Sequence, residues 1–104
     1  ALAVTGEQRC AVLPDVPTAQ EAGMKGFELY AWYGLWGPAN LPEPVVKKLE
    51  AATQKIMVSP EMAKRLETLG FEAVYRNSSD FQHYINAEMD KYKNIISTAG
   101  ITVN

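Results

Sequence analysis

The sequence is poor in the residues that most often carry chemistry. It holds one cysteine and one histidine in 104 residues. Cys10 alone cannot close an internal disulfide, and no partner base lies near it, so it reads as a passive loop thiol. Any Ser-His-Asp or Cys-His arrangement would have to use His83. That residue follows Gln82 and falls off the apolar stripe of its segment, which is a solvated position. Asp80 and His83 form a helical i,i+3 pair without a third ligand, so no metal site is expected. Thr5-Gly6-Glu7 is too short to be a phosphate loop, and no cofactor signature appears. No apolar run approaches the ~20 residues of a membrane span. Basic charge is also scarce. The net charge is −2 and the longest basic runs are the pairs Lys47-Lys48 and Lys64-Arg65, which speaks against nucleic acid as a partner. Glu61, Glu67, Glu72 and Glu88 form no recognisable pair for acid–base work. The expectation is a protein that is not an enzyme.

What is present is ordinary for a globular chain: 47% hydrophobic and 21% charged residues. Ala1 to Thr5 is an apolar, β-prone run and reads as the end of a buried strand. The chain opens inside it, with no initiating Met and no export-signal pattern, as a piece of a longer protein would. Pro14 and Pro17 push their predecessors to extended conformations. Thr18 and Glu21 have capping-box spacing, which predicts a short helix over 19–22 closed by Gly23.

Residues 27–37, Phe-Glu-Leu-Tyr-Ala-Trp-Tyr-Gly-Leu-Trp-Gly, carry aromatic and aliphatic side chains on both alternating faces. A strand with that pattern is normally covered on both faces. Fully extended, it would reach ~35 Å, long enough to cross between two lobes. Tyr30, Trp32, Tyr33 and Trp36 read first as core packing, with one face left to contribute to a cleft. Helical spacing of Val45, Leu49, Ala52, Thr53 and Ile56 predicts a helix from Glu43 or Pro44 to about Val58. Ser59-Pro60 restarts the chain as N-cap and first helical residue, and the second helix runs to Leu69 before Gly70. Phe71 to Tyr75 reads as a short strand. Asn77-Ser78-Ser79-Asp80 opens a last helix over 78–98, with Gly100 as its stop. Glu88 lies on the edge of its apolar stripe, where a carboxylate snorkels or pairs with a nearby cation.

Several of these stretches occur together in one family. They are Leu2 to Thr5, Arg9, Leu13-Pro14-Asp15-Val16-Pro17-Thr18, Glu21-Ala22-Gly23, Phe27-Glu28, Trp32-Tyr33-Gly34-Leu35 and Gly37-Pro38-Ala39. Pro44 to Leu49, Pro60, Leu66, Leu69-Gly70 and Ala99-Gly100-Ile101 complete the set. In combination they resemble the C-terminal end of the tripartite tricarboxylate transporter receptors, the Bug-type extracytoplasmic solute receptors. Cys10 stands where that family favours small polar residues, and Trp36 where it favours smaller apolar ones.

The resemblance implies an α/β fold: the C-terminal part of a two-lobed periplasmic binding protein, a Venus flytrap, with a long crossing strand and three C-terminal helices. Residues 1–26 would end the second lobe, 27–37 would be the crossing strand, and 38–104 would return to the first lobe. It also implies capture of a small carboxylate or related organic anion in the periplasm and delivery to membrane permease subunits. The first-lobe loops that hold the ligand carboxylate in that family lie earlier than this stretch. Here Thr5 and Gly6, at the exit of a parallel strand, are the best candidates for cleft contact. Trp32 and Tyr33 follow as hinge-strand residues. Orphan sheet edges would favour an exchange dimer of this chain alone. The rival reading is a stand-alone interaction domain whose aromatic strand docks a protein partner without any small ligand.

Overall fold

A computed structural model describes residues 1–102. Three helices dominate it: α1, Glu43–Met57; α2, Pro60–Thr68; and α3, Ser78–Ala99. Each matches the sequence expectation to within a residue or two, and each is bounded by local chemistry. Pro44 sits in the first turn of α1, where a missing N–H costs nothing. Ser59 caps α2, its hydroxyl accepting from the Met62 N–H at 3.3 Å and donating to the Ile56 carbonyl at 2.7 Å. Gly70 follows α2 at φ +79°, and its N–H and that of Phe71 turn back to the Glu67 and Leu66 carbonyls. Asn77 caps α3 by accepting the Asp80 N–H at 2.8 Å. A second cap reaches α3 from α1: Glu50 accepts the Ser78 N–H at 2.6 Å, and the Ser78 side chain first, then that N–H, hold its carboxyl below the usual carboxylate range. The Tyr75 hydroxyl donates to the Glu50 carbonyl at 3.3 Å, so the 71–77 connector and the start of α3 are both fastened to the middle of α1.

The N-terminal part is held differently. Val4 and Thr18 form an isolated parallel bridge, with Val4 N–H to Pro17 and Ala19 N–H to Val4 at 2.9 and 2.8 Å. The capping box is complete: the Thr18 N–H donates to Glu21 at 2.8 Å and the Glu21 N–H to the Thr18 hydroxyl at 3.1 Å. The element it opens is one turn rather than the expected helix over 19–22. The Met24 N–H already returns to Ala19 and that of Gly23 to Gln20, so both ends close on the same few residues. Arg9 braces the turn, its Nε 2.9 Å from Glu21 Oε2 and its Nη1 donating to the Pro14 carbonyl. The Thr18 N–H first, and then Arg9, hold the Glu21 carboxyl below its usual range.

The strands expected at 27–37 and 71–75 are absent among the described residues. Strand structure requires a ladder partner, and these segments find almost none. Within 27–37 the Phe27 N–H turns back locally to the Met24 carbonyl at 3.1 Å, and the one backbone tie to a distant segment is Leu29 N–H to Thr5 carbonyl at 3.0 Å, reinforced by the Thr5 hydroxyl on the Leu29 carbonyl at 2.8 Å. The expected cover on both faces is missing too: Tyr33 is 79% exposed, Leu35 72% and Trp36 64%. The strand end at 1–5 is reduced to the single bridge at Val4.

The segment is instead anchored by aromatic packing on α3. The Trp32 ring meets Phe81 and Tyr84 edge-on at 5.5 and 5.9 Å, and Trp36 meets Phe81 at 5.5 Å. Between them the Phe81 ring lies against the bare backbone of Gly34, where a Cβ would stand 2.5 Å from it. Such packing does not make a closed core. Ala19, at 3% exposure, is the one buried hydrophobic residue described. The accessible surface is 8681 Å², against about 5,800 Å² for a self-contained chain of this mass. The radius of gyration is 16.9 Å, against roughly 13 Å for such a domain.

Two outcomes follow for the protein carrying this segment. Gly34→Ala forces a methyl into the Phe81 ring and lowers unfolding stability by about 1–3 kcal/mol in urea titrations. With Phe81→Ala already present, the same change costs markedly less. The second concerns pH. Glu21 is held below its usual value of 4.5 when folded, so the unfolded chain takes up its proton first as the pH falls. The stability advantage of wild type over Glu21→Gln is complete above about pH 4.5 and disappears as the pH falls through the lowered folded value, as thermal midpoints across that range will report.

Candidate functional site

The helices and the 27–37 segment enclose one side of an open concavity of about 2210 Å³. Small-ligand pockets run to roughly 300–1,000 Å³. This one is larger than any small ligand requires, so only part of it can be a ligand site.

All four residues expected at a cleft line it: Thr5, Gly6, Trp32 and Tyr33. They form two groups. Thr5 and Gly6 follow the Val4 bridge and lie against Leu29 and Tyr30. The Thr5 hydroxyl is committed to the Leu29 carbonyl. A Cβ on Gly6 would stand 3.2 Å from the Tyr30 ring. The Tyr30 hydroxyl accepts the Glu7 N–H at 2.8 Å. The N–H groups of Thr5 and Gly6 meet no acceptor among the described residues, which suits them to an anion.

Trp32 and Tyr33 point to different neighbours. Trp32 packs on α3 and Tyr33 meets the Phe71 ring edge-on at 5.6 Å, but the aromatics expected as core packing, Tyr30, Trp32, Tyr33 and Trp36, all remain exposed, because the described residues offer nothing to cover their second face. Both residues line the concavity.

Farther along α3 the concave wall becomes charged. The Arg76 guanidinium stacks over the Tyr84 ring, 4.3 Å from its centre. Glu88, 7% exposed, pairs with Lys91 one turn on, as a carboxylate on the stripe edge was expected to do. Its second oxygen is buried without a partner among the described residues. Burial, and then the Glu88 carboxylate, push the Tyr84 phenol above its ordinary value. The Glu88 hydrogen bond raises Lys91. Among the described residues no three His, Cys, Asp or Glu side chains gather to hold a metal ion, and no helix is long and apolar enough to cross a membrane.

Sequence reasoning missed the Tyr30–Glu7 and Arg76–Tyr84 contacts. The first joins residues 23 apart across a turn and has no spacing signature. The second was weakly visible as an Arg just before a helix that presents Tyr on its inner stripe.

The geometry recurs in solved proteins. The structure described as R. palustris Rpa4515 with adipate superimposes with a TM-score of 0.86 at 29% identity, covering 96% of this chain and 33% of that one. The periplasmic binding protein BugD gives 0.83 at 35% identity, covering 95% and 34%. In sequence, the UPF0065 protein in the TAR-I ttuE-ttuC' intergenic region of Agrobacterium vitis is 38% identical over 103 residues, 96% of this chain and 30% of that protein. The chain therefore spans about a third of the length of the relatives it matches. Both the open concavity and the shortage of buried core are in keeping with that share. The model of the tripartite tricarboxylate transporter family receptor matches residues 1–101, and the chain belongs to that family of solute receptors, which is not a family of enzymes.

Proposed function

We propose that this chain is the C-terminal third of a periplasmic receptor that captures a small carboxylate and passes it to the permease subunits of a tripartite tricarboxylate-type transporter. The observation that carries the reading is the Thr5–Gly6 turn. It offers two consecutive unengaged N–H groups on the concave face, tied directly to the 27–37 segment. The superposition on a receptor solved with adipate, a dicarboxylate, favours an anionic ligand of that class.

On this reading the protein has two α/β lobes. Residues 1–26 end the second lobe, 27–37 cross between lobes, and 38–104 return to the first. The exposed faces of Tyr33, Leu35 and Trp36 are then covered by the rest of the chain, and 27–37 gains its ladder partners there. Ligand binding favours closure because the closed state holds the anion from both lobes. Trp32 and Tyr33, which line the concavity, act as hinge-segment residues.

The test is a thermal-shift and calorimetric titration of the full-length protein with acetate, succinate, adipate and citrate. At a hundredfold excess over Kd, a true ligand adds about 2.7 kcal/mol of stability. If none of the four stabilises the protein, the receptor reading fails. Thr5→Val removes the hydroxyl that holds the turn to Leu29 and weakens binding about tenfold; unchanged affinity would remove Thr5 from the site. Sedimentation of the 104-residue chain alone separates the rival reading. A stand-alone interaction domain sediments as a monomer, whereas a receptor part with this much uncovered apolar surface self-associates.

A further inference from the structure

We propose that Tyr30 is a ligand-contacting residue of the anion site, its hydroxyl supplying a third donor beside the Thr5 and Gly6 N–H groups. The inference rests on the receptor reading above and names a residue that the sequence had assigned to core packing.

The Tyr30 hydroxyl, on an exposed side chain, keeps its proton available to a ligand. Its Oη already accepts the Glu7 N–H at 2.8 Å. A phenol has one proton to donate, and no acceptor among the described residues takes it. A Cβ at Gly6 would stand 3.2 Å from Cε1 and 3.7 Å from Oη of Tyr30. The hydroxyl is therefore beside Gly6, on the same concave wall as Thr5, Gly6 and Glu7. Glu7 N–H donation also polarises the phenol, strengthening the hydrogen bond that its proton can make. A carboxylate oxygen seated on the turn would receive neutral donors only, so the site would bind an anion without burying a cation opposite it. Arg9, the nearest basic residue in sequence, is spent on Glu21 and the Pro14 carbonyl.

The same contacts make Tyr30 a clamp. Leu29 and Tyr30 hold the turn from opposite ends, through Thr5 and through Glu7. A role as clamp alone predicts loss of stability. A role as donor predicts loss of affinity in a protein that still folds.

The experiment compares full-length wild type with Tyr30→Phe, titrated with whichever of acetate, succinate, adipate and citrate binds wild type most tightly. Phenylalanine keeps the ring on Gly6 and deletes only the oxygen. The expected result is about a tenfold rise in Kd, the loss of one hydrogen bond to a charged group, with an unfolding midpoint within a few degrees of wild type. Equal affinity in the two proteins overturns the proposal, even though the receptor reading would stand. A second measurement needs no variant. In wild type, the amide resonances of Thr5, Gly6 and Glu7 must shift on addition of that carboxylate; if they stay fixed, the proposal fails. If none of the four anions binds wild type, the receptor reading fails first and this assignment falls with it.

Discussion

At position 34 a side chain and the Phe81 ring would claim the same space. Glycine removes the conflict, and the ring takes the place against the backbone. Trp32 and Trp36 close on it from either side. This contact fastens a segment with almost no backbone hydrogen bonds to the longest helix in the chain. Without it, the N-terminal turn structure and the three helices would be joined by little more than covalent chain. The arrangement is what a chain does when its own apolar surface is too extended to close: it concentrates its burial in a few large rings. The surface is roughly half as much again as a self-contained chain would show.

That constraint explains which parts of the fold were legible in the sequence. The helices were, because their signals are local. Ser59 before Pro60, Asn77 three residues before Asp80, and Gly70 and Gly100 past the ends fix boundaries through contacts a few residues long. The capping box at Thr18 was equally legible, yet the helix it announced is a single turn. Start and stop signals were both read correctly, but their spacing allowed no propagation. The strands were not recoverable here. Alternation in 27–37 and 71–75 describes what a segment can do with ladder partners, and among the described residues the one long-range backbone hydrogen bond to 27–37 is that of Leu29 with Thr5.

The turn at Thr5 and Gly6 was legible in the sequence as a strand exit, but its construction was not. Thr5 and Gly6 were chosen because ligands of α/β folds gather at strand exits. They stand on the concave wall with their N–H groups unengaged, beside a single bridge where a full strand was expected. What the sequence could not reveal was the hold on that turn. Thr5 to Leu29 and Glu7 to Tyr30 span more than twenty residues and involve a carbonyl and a phenol, groups that leave no motif. Glu88 is the opposite case. A carboxylate on the edge of an apolar stripe, three residues before a lysine, announced its partner by helical spacing alone.

The two halves of 27–37 serve different masters. Leu29 and Tyr30 are bonded to the Thr5–Glu7 turn, while Trp32, Gly34 and Trp36 are packed on α3. Each half should move with its own partner, since hydrogen bonds on one side and interlocked rings on the other resist slippage. Relative motion of the turn and the helices must then be absorbed between Tyr30 and Trp32. Ala31, which is exposed, is the residue between them. Domain hinges are commonly a few residues that absorb the backbone change. If the receptor closes as proposed, the carboxylate donors sit directly on one side of that joint and the aromatic anchor directly on the other. A ligand held by the turn therefore acts on the lobe angle through one or two residues of chain, with no need for a longer relay.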